Sequence, residues 1–193
     1  MIKVGVTGGI GSGKSVVCEI FRNLGVPIFN ADTEAKKLLD SNEVIDFYNH
    51  EFGNLVFTDN KLNKQKIAAL IFTNKDALAK VNNFIHPLVF KAFEDFCKNN
   101  ELATYVIKEA ALLFESEAYK ELNNTILVSS PMELRIKRVI ERDGISREAI
   151  LMRINNQLPE ENKKELANYI IENNEQTLLL PQVLRLHDIF TNK

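Results

Sequence analysis

The stretch that most limits how this chain can fold lies at residues 2–15. A short, mostly β-branched run, Ile2-Lys3-Val4-Gly5-Val6-Thr7, enters a cluster of glycines and leaves it as a helical pattern beginning at Lys14. Five of the eight glycines in the chain fall within residues 5–13. Neither a strand nor a helix is built at that density, because each glycine forfeits backbone entropy on ordering and brings no side chain to pack. The cluster is therefore a loop between a strand and a helix. Its sequence, Gly8-Gly9-Ile10-Gly11-Ser12-Gly13-Lys14-Ser15, has the spacing G-x-x-x-x-G-K-S/T that turns successive backbone N–H groups onto phosphate oxygens. The helix that follows points its positive end at the same charge. Lys14 adds a cation for β- and γ-phosphates, and the Ser15 hydroxyl is suited to hold Mg²⁺. A tight turn accounts for the glycines but not for Lys14-Ser15. A nucleoside triphosphate and Mg²⁺ are accordingly expected, with the use of the nucleotide left open.

Four further runs, at 27–30, 104–109, 124–129 and 168–172, alternate with segments of helical periodicity. That alternation builds an α/β fold, a five-stranded parallel sheet with helices on both faces. The runs at 104–109 and 124–129 have the near-continuous apolar character of central strands, and 168–172 reads as peripheral. Between the second and third runs lie roughly 70 residues, with Ile67, Leu70, Ile71, Leu78, Val81 and Ile85 at helical spacing. A helical insertion is expected there, at 31–102. It is punctuated by Gly53, by Thr58-Asp59-Asn60 and by His86-Pro87, where Pro87 is expected to open a new helix. A second insertion, from Pro131 to about Glu165, has two helical segments joined at Asp143-Gly144 and a break near Leu158-Pro159. The core is then residues 1–30, 103–131 and 166–193.

Composition narrows the use of the loop. With 24 basic and 26 acidic side chains the formal net charge is −2, which gives no general pull on nucleic acid or anionic lipid. No apolar run approaches the roughly 18 residues of a membrane-spanning helix, and the N-terminus lacks the apolar stretch of about 7–15 residues found in a secretory signal. Cys18 and Cys97 form no CxxC pair, and His50, His86 and His187 are scattered, so two thiols in a reducing compartment are expected and a structural zinc site is not. These features describe a cytoplasmic protein without a nucleic-acid or membrane partner, a monomer or small homo-oligomer. A GTPase would also show D-x-x-G and N-K-x-D, whereas the nearest segment, Asn74-Lys75-Asp76, has the wrong spacing. A small-molecule kinase fits best.

Such a kinase needs a group beside the acceptor hydroxyl. Asp32 follows the second strand, where the carboxyl end of a parallel strand opens onto the same crevice as the phosphate loop. Its competing role is to cap a helix starting near Thr33. In a loose phosphoryl-transfer transition state Asp32 need only orient the hydroxyl and take its proton late. Glu109, ending the third strand, best matches a carboxylate serving Mg²⁺, with Glu115 as a second acidic group nearby. In the second insertion Arg135, Arg138 and Arg142 are spaced to share one helical stripe, and Arg153 follows. Residues 133–153 hold six basic side chains against four acidic ones. A transferring phosphoryl group requires cations on its oxygens, and mobile kinase lids supply them. Lys14, Arg142 and Arg153 join Asp32 as catalytic candidates, and Arg138 joins the loop residues as a nucleotide-binding one, with the phosphate each arginine would touch left open.

With these residues in place, the chain resembles the dephospho-coenzyme A kinases over nearly its whole length. Beyond the phosphate loop, the resemblance rests on Val26-Pro27 to Ala31-Asp32, Ile85-His86-Pro87, Leu112-Leu113-Phe114-Glu115, and Arg153-Ile154 with Gln157. It implies a phosphate-loop kinase core, an acceptor domain at 31–102 and a lid at 132–165. It also implies ATP-dependent phosphorylation of the ribose 3′-hydroxyl of dephospho-coenzyme A, giving coenzyme A and ADP, with Asp32 catalytic. The chain departs from the family at Ala111, commonly proline, and at Ala167-Asn168 and Glu172-Asn173-Asn174, often Ala-Asp and Asp-Asn-Gly. Two other readings stand beside it: another small phosphate-loop kinase acting on a nucleoside, nucleotide or sugar acid, and a nucleotide-dependent regulatory switch.

Overall fold

The computed structural model describes residues 1–59 and 61–192, apart from the side chain of Phe72. In chain order the elements are β1 (Ile2–Thr7), α1 (Lys14–Asn23), β2 (Ile28–Asn30), α2 (Ala31–Leu38), α3 (Asn42–Phe52), β3 (Phe57–Thr58), β4 (Lys61–Leu62), α4 (Lys64–Thr73) and α5 (Lys75–Asn99). There follow β5 (Tyr105–Glu109), β6 (Asn124–Ser129), α6 (Met132–Asp143), α7 (Arg147–Asn155), α8 (Glu160–Leu166), β7 (Tyr169–Glu172) and α9 (Leu179–Thr191). They form two compact units, Ala31–Phe96 and the remainder of the chain. One unit is thus the continuous stretch Ala31–Phe96, and α6, α7 and α8 lie in the same unit as the sheet.

That sheet is five-stranded in the order β2-β5-β1-β6-β7, with every neighbouring pair parallel. All of β5 and the four inner residues of β6 are buried, whereas β7 alternates between exposed and covered positions at the edge. On one face Val4, Val6, Ile107, Ile126 and Val128 pack against Val17 and Phe21 of α1 and Val183 and Phe190 of α9, all fully buried. Each such side chain contributes roughly 1.5–3 kcal/mol relative to exposure. On the other face α8 packs on β6, and a Cβ at Gly5 would stand 2.6 Å from Leu113 and from Leu122. At the start of β7, the Thr125 N–H and hydroxyl donate to Asn168 Oδ1 (2.8 and 3.1 Å), and Asn168 N–H donates back to Thr125 Oγ1 (3.1 Å). The amide oxygen of Asn168 accepts there as a carboxylate would, so the departure from Ala-Asp leaves this closure made.

In the other unit, side-chain caps set the helix starts. Ser41 accepts from Val44 N–H (3.4 Å), Asn63 from Gln65 and Lys66 N–H (2.9 and 3.1 Å), and Asn74 from Asp76 and Ala77 N–H (both 3.0 Å). The punctuation expected at Thr58-Asp59-Asn60 falls in a small antiparallel hairpin of β3 and β4, with Asp59 at φ +50°; Asn60 lies outside the described residues. Pro87 does not open a helix: it sits inside α5. A proline in a helix interior costs about 3 kcal/mol. The helix carries that cost because Ala77, Val81, Ile85, Val89, Phe93 and Cys97, four residues apart, form a buried row that passes through the Pro87 turn without a gap.

Candidate active site

The strand ends place the loop. Val6 lies in register with Glu109 of β5 and with Ile126 of β6, so the chain leaving β1 turns at the carboxyl edge of the sheet, beside the ends of its neighbours. Ser12 N–H donates to Gly9 O (3.0 Å) and closes the turn. Gly13, at φ +92°, begins α1 without any side-chain cap. The first N–H groups of that helix are left as donors, and the positive end of its dipole adds to them. A Cβ at Gly8 would stand 2.5 Å from Val128 O and 3.3 Å from Lys14 Cγ, so the half-buried stem of Lys14 lies back over the loop. The Ser12 hydroxyl is buried there without a partner.

Ser15, at the first turn of α1, donates its hydroxyl to Glu109 Oε1 (3.0 Å), and the Asn30 amide donates to Glu109 Oε2 (2.8 Å). Glu109 is buried, and it gathers the ends of β2 and β5 and the start of α1 around one carboxylate. Its charge is felt deeper in the core: burial, then Glu109, pushes the Cys18 thiol well above the usual thiol range. Ser15 Oγ and Glu109 Oε1 are hard oxygen donors of the kind Mg²⁺ takes. Among the described residues no three His, Cys, Asp or Glu side chains converge as a metal cluster.

The arginine stripe of α6 divides three ways. Arg135 turns inward, 5% exposed, and its Nε donates to Ile10 O (3.0 Å) while Nη1 donates to Glu160 Oε2 (2.9 Å). Its guanidinium lies so close to Gly9 that any Cβ there would collide with it. Burial draws the Arg135 pKa below the usual arginine value, against the opposing pull of Glu160. Arg138 donates to Ser130 Oγ (3.1 Å), to the Asn173 carbonyl and side-chain oxygens (3.4 and 3.3 Å) and to Glu175 (3.2 Å), in the turn after β7. Arg142 is exposed and clasps its neighbour Asp143 with two hydrogen bonds (2.7 and 2.8 Å). Those bonds hold the Asp143 carboxyl below the usual range, and exposed Arg153 adds to the effect.

Glu115 sits apart from Glu109 in role. Its Oε1 accepts from Lys163 Nζ (2.9 Å) and Leu158 N–H (2.8 Å), which ties the segment after β5 to α8. Asp32 is exposed and stands inside the first turn of α2, because the helix begins at Ala31 and not near Thr33; the cap reading at that position is thereby corrected.

The sequence assigns three contributors no role in the site, although Asn30 and Gln157 lie in stretches that carry the resemblance and Asn173 in one that departs from it. Asn30 ends a strand of three residues, and only its place at a strand's carboxyl end could have singled it out. Asn173 spans the site: its amide donates to Ser12 O (2.8 Å), its N–H donates to Ser129 O (2.8 Å), and its oxygens receive Arg138. Gln157 accepts from Ile10 N–H (3.1 Å). A cavity of about 690 Å³ opens beside Gly9, Arg135 and Gln157, reaching Met132, Lys164 and Asn174.

Sheet order and phosphate cradle together place the chain among the phosphate-loop kinases. The family model described as dephospho-CoA kinase matches residues 2–178. A dephospho-CoA kinase of Bacteroides fragilis is 38% identical over 186 residues, covering 96% of this chain and 91% of the relative. Among solved structures, a Thermus thermophilus protein superposes with a TM-score of 0.87 at 32% identity, over 99% of this chain and 96% of that one. The dephospho-CoA kinase of Campylobacter jejuni gives 0.70 at 28% identity, over 98% of each. The chain belongs to the dephospho-CoA kinase family. Its function is dephospho-CoA kinase activity, part of coenzyme A biosynthesis, and ATP is the phosphoryl donor that membership of a kinase family implies. Among the described residues no helix is long and apolar enough to cross a membrane.

Proposed function

We propose that the chain transfers the γ-phosphoryl group of ATP to the ribose 3′-hydroxyl of dephospho-CoA, with Asp32 as the acceptor-side group. The observation that carries this reading is the joining of the phosphate loop to Glu109 through Ser15, which sets hard oxygen donors at the mouth of the cradle. Ser15 and Glu109 would hold Mg²⁺ there, with most of its other ligands drawn from nucleotide oxygens and water. Bound in that place, the ion supplies charge neutralisation across the β- and γ-phosphates. The loop N–H groups and Lys14 bind and orient the triphosphate. Arg138, held against the turn after β7, serves the nucleotide. Arg142 and Arg153 supply cations to the transferring group. Arg142 is free to do so because its clasp on Asp143 is at the surface, where such pairs are weakly held. Asp32 orients the 3′-hydroxyl; as the O–P bond forms and the bond to ADP breaks, it receives the hydroxyl proton and returns it to solvent.

Asp32→Asn tests the acceptor side. The variant keeps its fold and its affinity for ATP, while kcat falls by about 10²–10⁴-fold in an assay of ADP release. A near wild-type kcat removes Asp32 from the reaction. The same assay separates the competing readings. Turnover that requires dephospho-CoA supports this one, turnover with another acceptor supports a different small-molecule kinase, and slow acceptor-independent hydrolysis supports a switch.

A further inference from the structure

The structure assigns Arg135 a positioning role: with Gln157 it grips Ile10 through the two peptide groups that flank its Cα, so that α6 and the turn after α7 set the shape of the phosphate loop. Ile10 stands between Gly9 and Gly11 in that loop, and the partners of both its polar backbone groups lie outside the loop. Its carbonyl receives Arg135 Nε (3.0 Å), from α6, and its N–H donates to Gln157 Oε1 (3.1 Å), from the turn after α7. The loop's own restraint in this region is the bond from Ser12 N–H to Gly9 O. A glycine-rich segment with so few internal bonds has many backbone conformations open to it, and two outside hydrogen bonds, one on each peptide group flanking Ile10, select among them.

The charge bookkeeping separates Arg135 from a phosphate ligand. Its side chain is 6% exposed and its guanidinium is paired with Glu160 Oε2 at 2.9 Å, so its charge is already answered inside the protein. The planar fork matters as much as the charge, since Nε and Nη1 reach two acceptors in different elements at once. Gly9 completes the arrangement, because only a residue without Cβ lets the guanidinium lie flat on the loop. The inference rests on the reading of this loop as the ATP site, and it names what holds that site in shape.

Three variants test it: Arg135→Met, Arg135→Met/Glu160→Met and Gln157→Leu. ATP affinity is read by calorimetry without acceptor, and kcat, KM and thermal midpoint are read separately. Arg135→Met loses stability because it strands the half-buried Glu160 carboxylate, whose Oε1 is buried without a partner, and the double variant regains most of that loss. Both nevertheless bind ATP about tenfold or more weakly, because the Ile10 carbonyl has lost a charged donor. At saturating ATP their kcat stays within about threefold of wild type, and KM for dephospho-CoA is unchanged. Gln157→Leu, which alters no charge, weakens ATP binding by about two- to tenfold. Wild-type ATP affinity in the double variant or in Gln157→Leu overturns the proposal. So does a fall in kcat at unchanged ATP affinity, which would make Arg135 a ligand of the transferring group. If the acceptor were misassigned, the wild-type enzyme itself would show no turnover with dephospho-CoA, while the ATP titration would still report on the loop.

Discussion

Lys163→Met tests how α8 is moored to the segment after β5. Lys163 is 1% exposed, and its ammonium donates to Glu115 Oε1 at 2.9 Å. That oxygen also takes Leu158 N–H, and Oε2 of the same carboxylate is buried with no partner. Methionine nearly matches the lysine stem in length, so the cavity left behind is small. The main loss is electrostatic, because a buried carboxylate remains with a single N–H to answer it. Removing one member of a buried pair costs about 3–5 kcal/mol. In a chain of this size each kcal/mol moves the thermal midpoint by about 2–4 °C, so the midpoint falls by roughly 6–20 °C. Glu115→Met strands the ammonium instead and lowers the midpoint comparably. The double variant loses only the acceptor for Leu158 N–H, about 1 kcal/mol, and returns to within about 4 °C of wild type. Calorimetric scans of the three proteins at neutral pH decide the matter. A double variant as unstable as the two single losses combined, or a Lys163→Met protein within about 2 °C of wild type, refutes the reasoning.

Lys14→Ala lowers kcat/KM by about a hundredfold or more without moving the midpoint, since the side chain acts on developing phosphate charge; near-normal turnover in steady-state assays counts against the cradle. Stability also falls at alkaline pH. Burial raises Cys18 and Tyr105 above their ordinary values of 9.0 and 10.0. Past those values the unfolded chain sheds protons that the folded protein keeps, and each group removes up to about 1.4 kcal/mol per pH unit. Denaturant melts show the midpoint concentration dropping from about pH 9 upward, with Cys18→Ala flattening the first part of the fall; a Cys18→Ala curve parallel to wild type would exclude the thiol as its source.

The strands and the cradle were legible because each carries its own pattern: apolar runs for β5 and β6, and glycine spacing for the loop. The Pro87 break was misread because a local rule met a tertiary fact, the buried row from Ala77 to Cys97 that outweighs one lost hydrogen bond. The hairpin of β3 and β4 left no trace, since two residues per strand cannot show a period. Helical spacing correctly set Arg135, Arg138 and Arg142 along one helix, but spacing says nothing of what faces them. Arg135 meets Ile10, and Arg138 meets Asn173, across long separations in sequence. Lys163 lies in a seven-residue helix rich in charge, where nothing distinguishes the one lysine that is buried from the one beside it that is not.

The sheet order carries a consequence for synthesis. β1 occupies the middle of the sheet yet is made first, and its two neighbours, β5 and β6, begin at Tyr105 and Asn124. At about 5–20 residues per second, the strand that bears the phosphate loop waits roughly 5–20 s on the ribosome for its first partner. Ala31–Phe96 is one continuous stretch, so all of its residues emerge during that wait. The nascent protein therefore has every residue of its inserted unit before it has any nucleotide site. For those seconds β1 presents apolar side chains and two open edges, the kind of segment that pairs with whatever strand is at hand. Chaperone dependence and aggregation in this protein should concentrate at its first strand, and slowing translation before Tyr105 should worsen both.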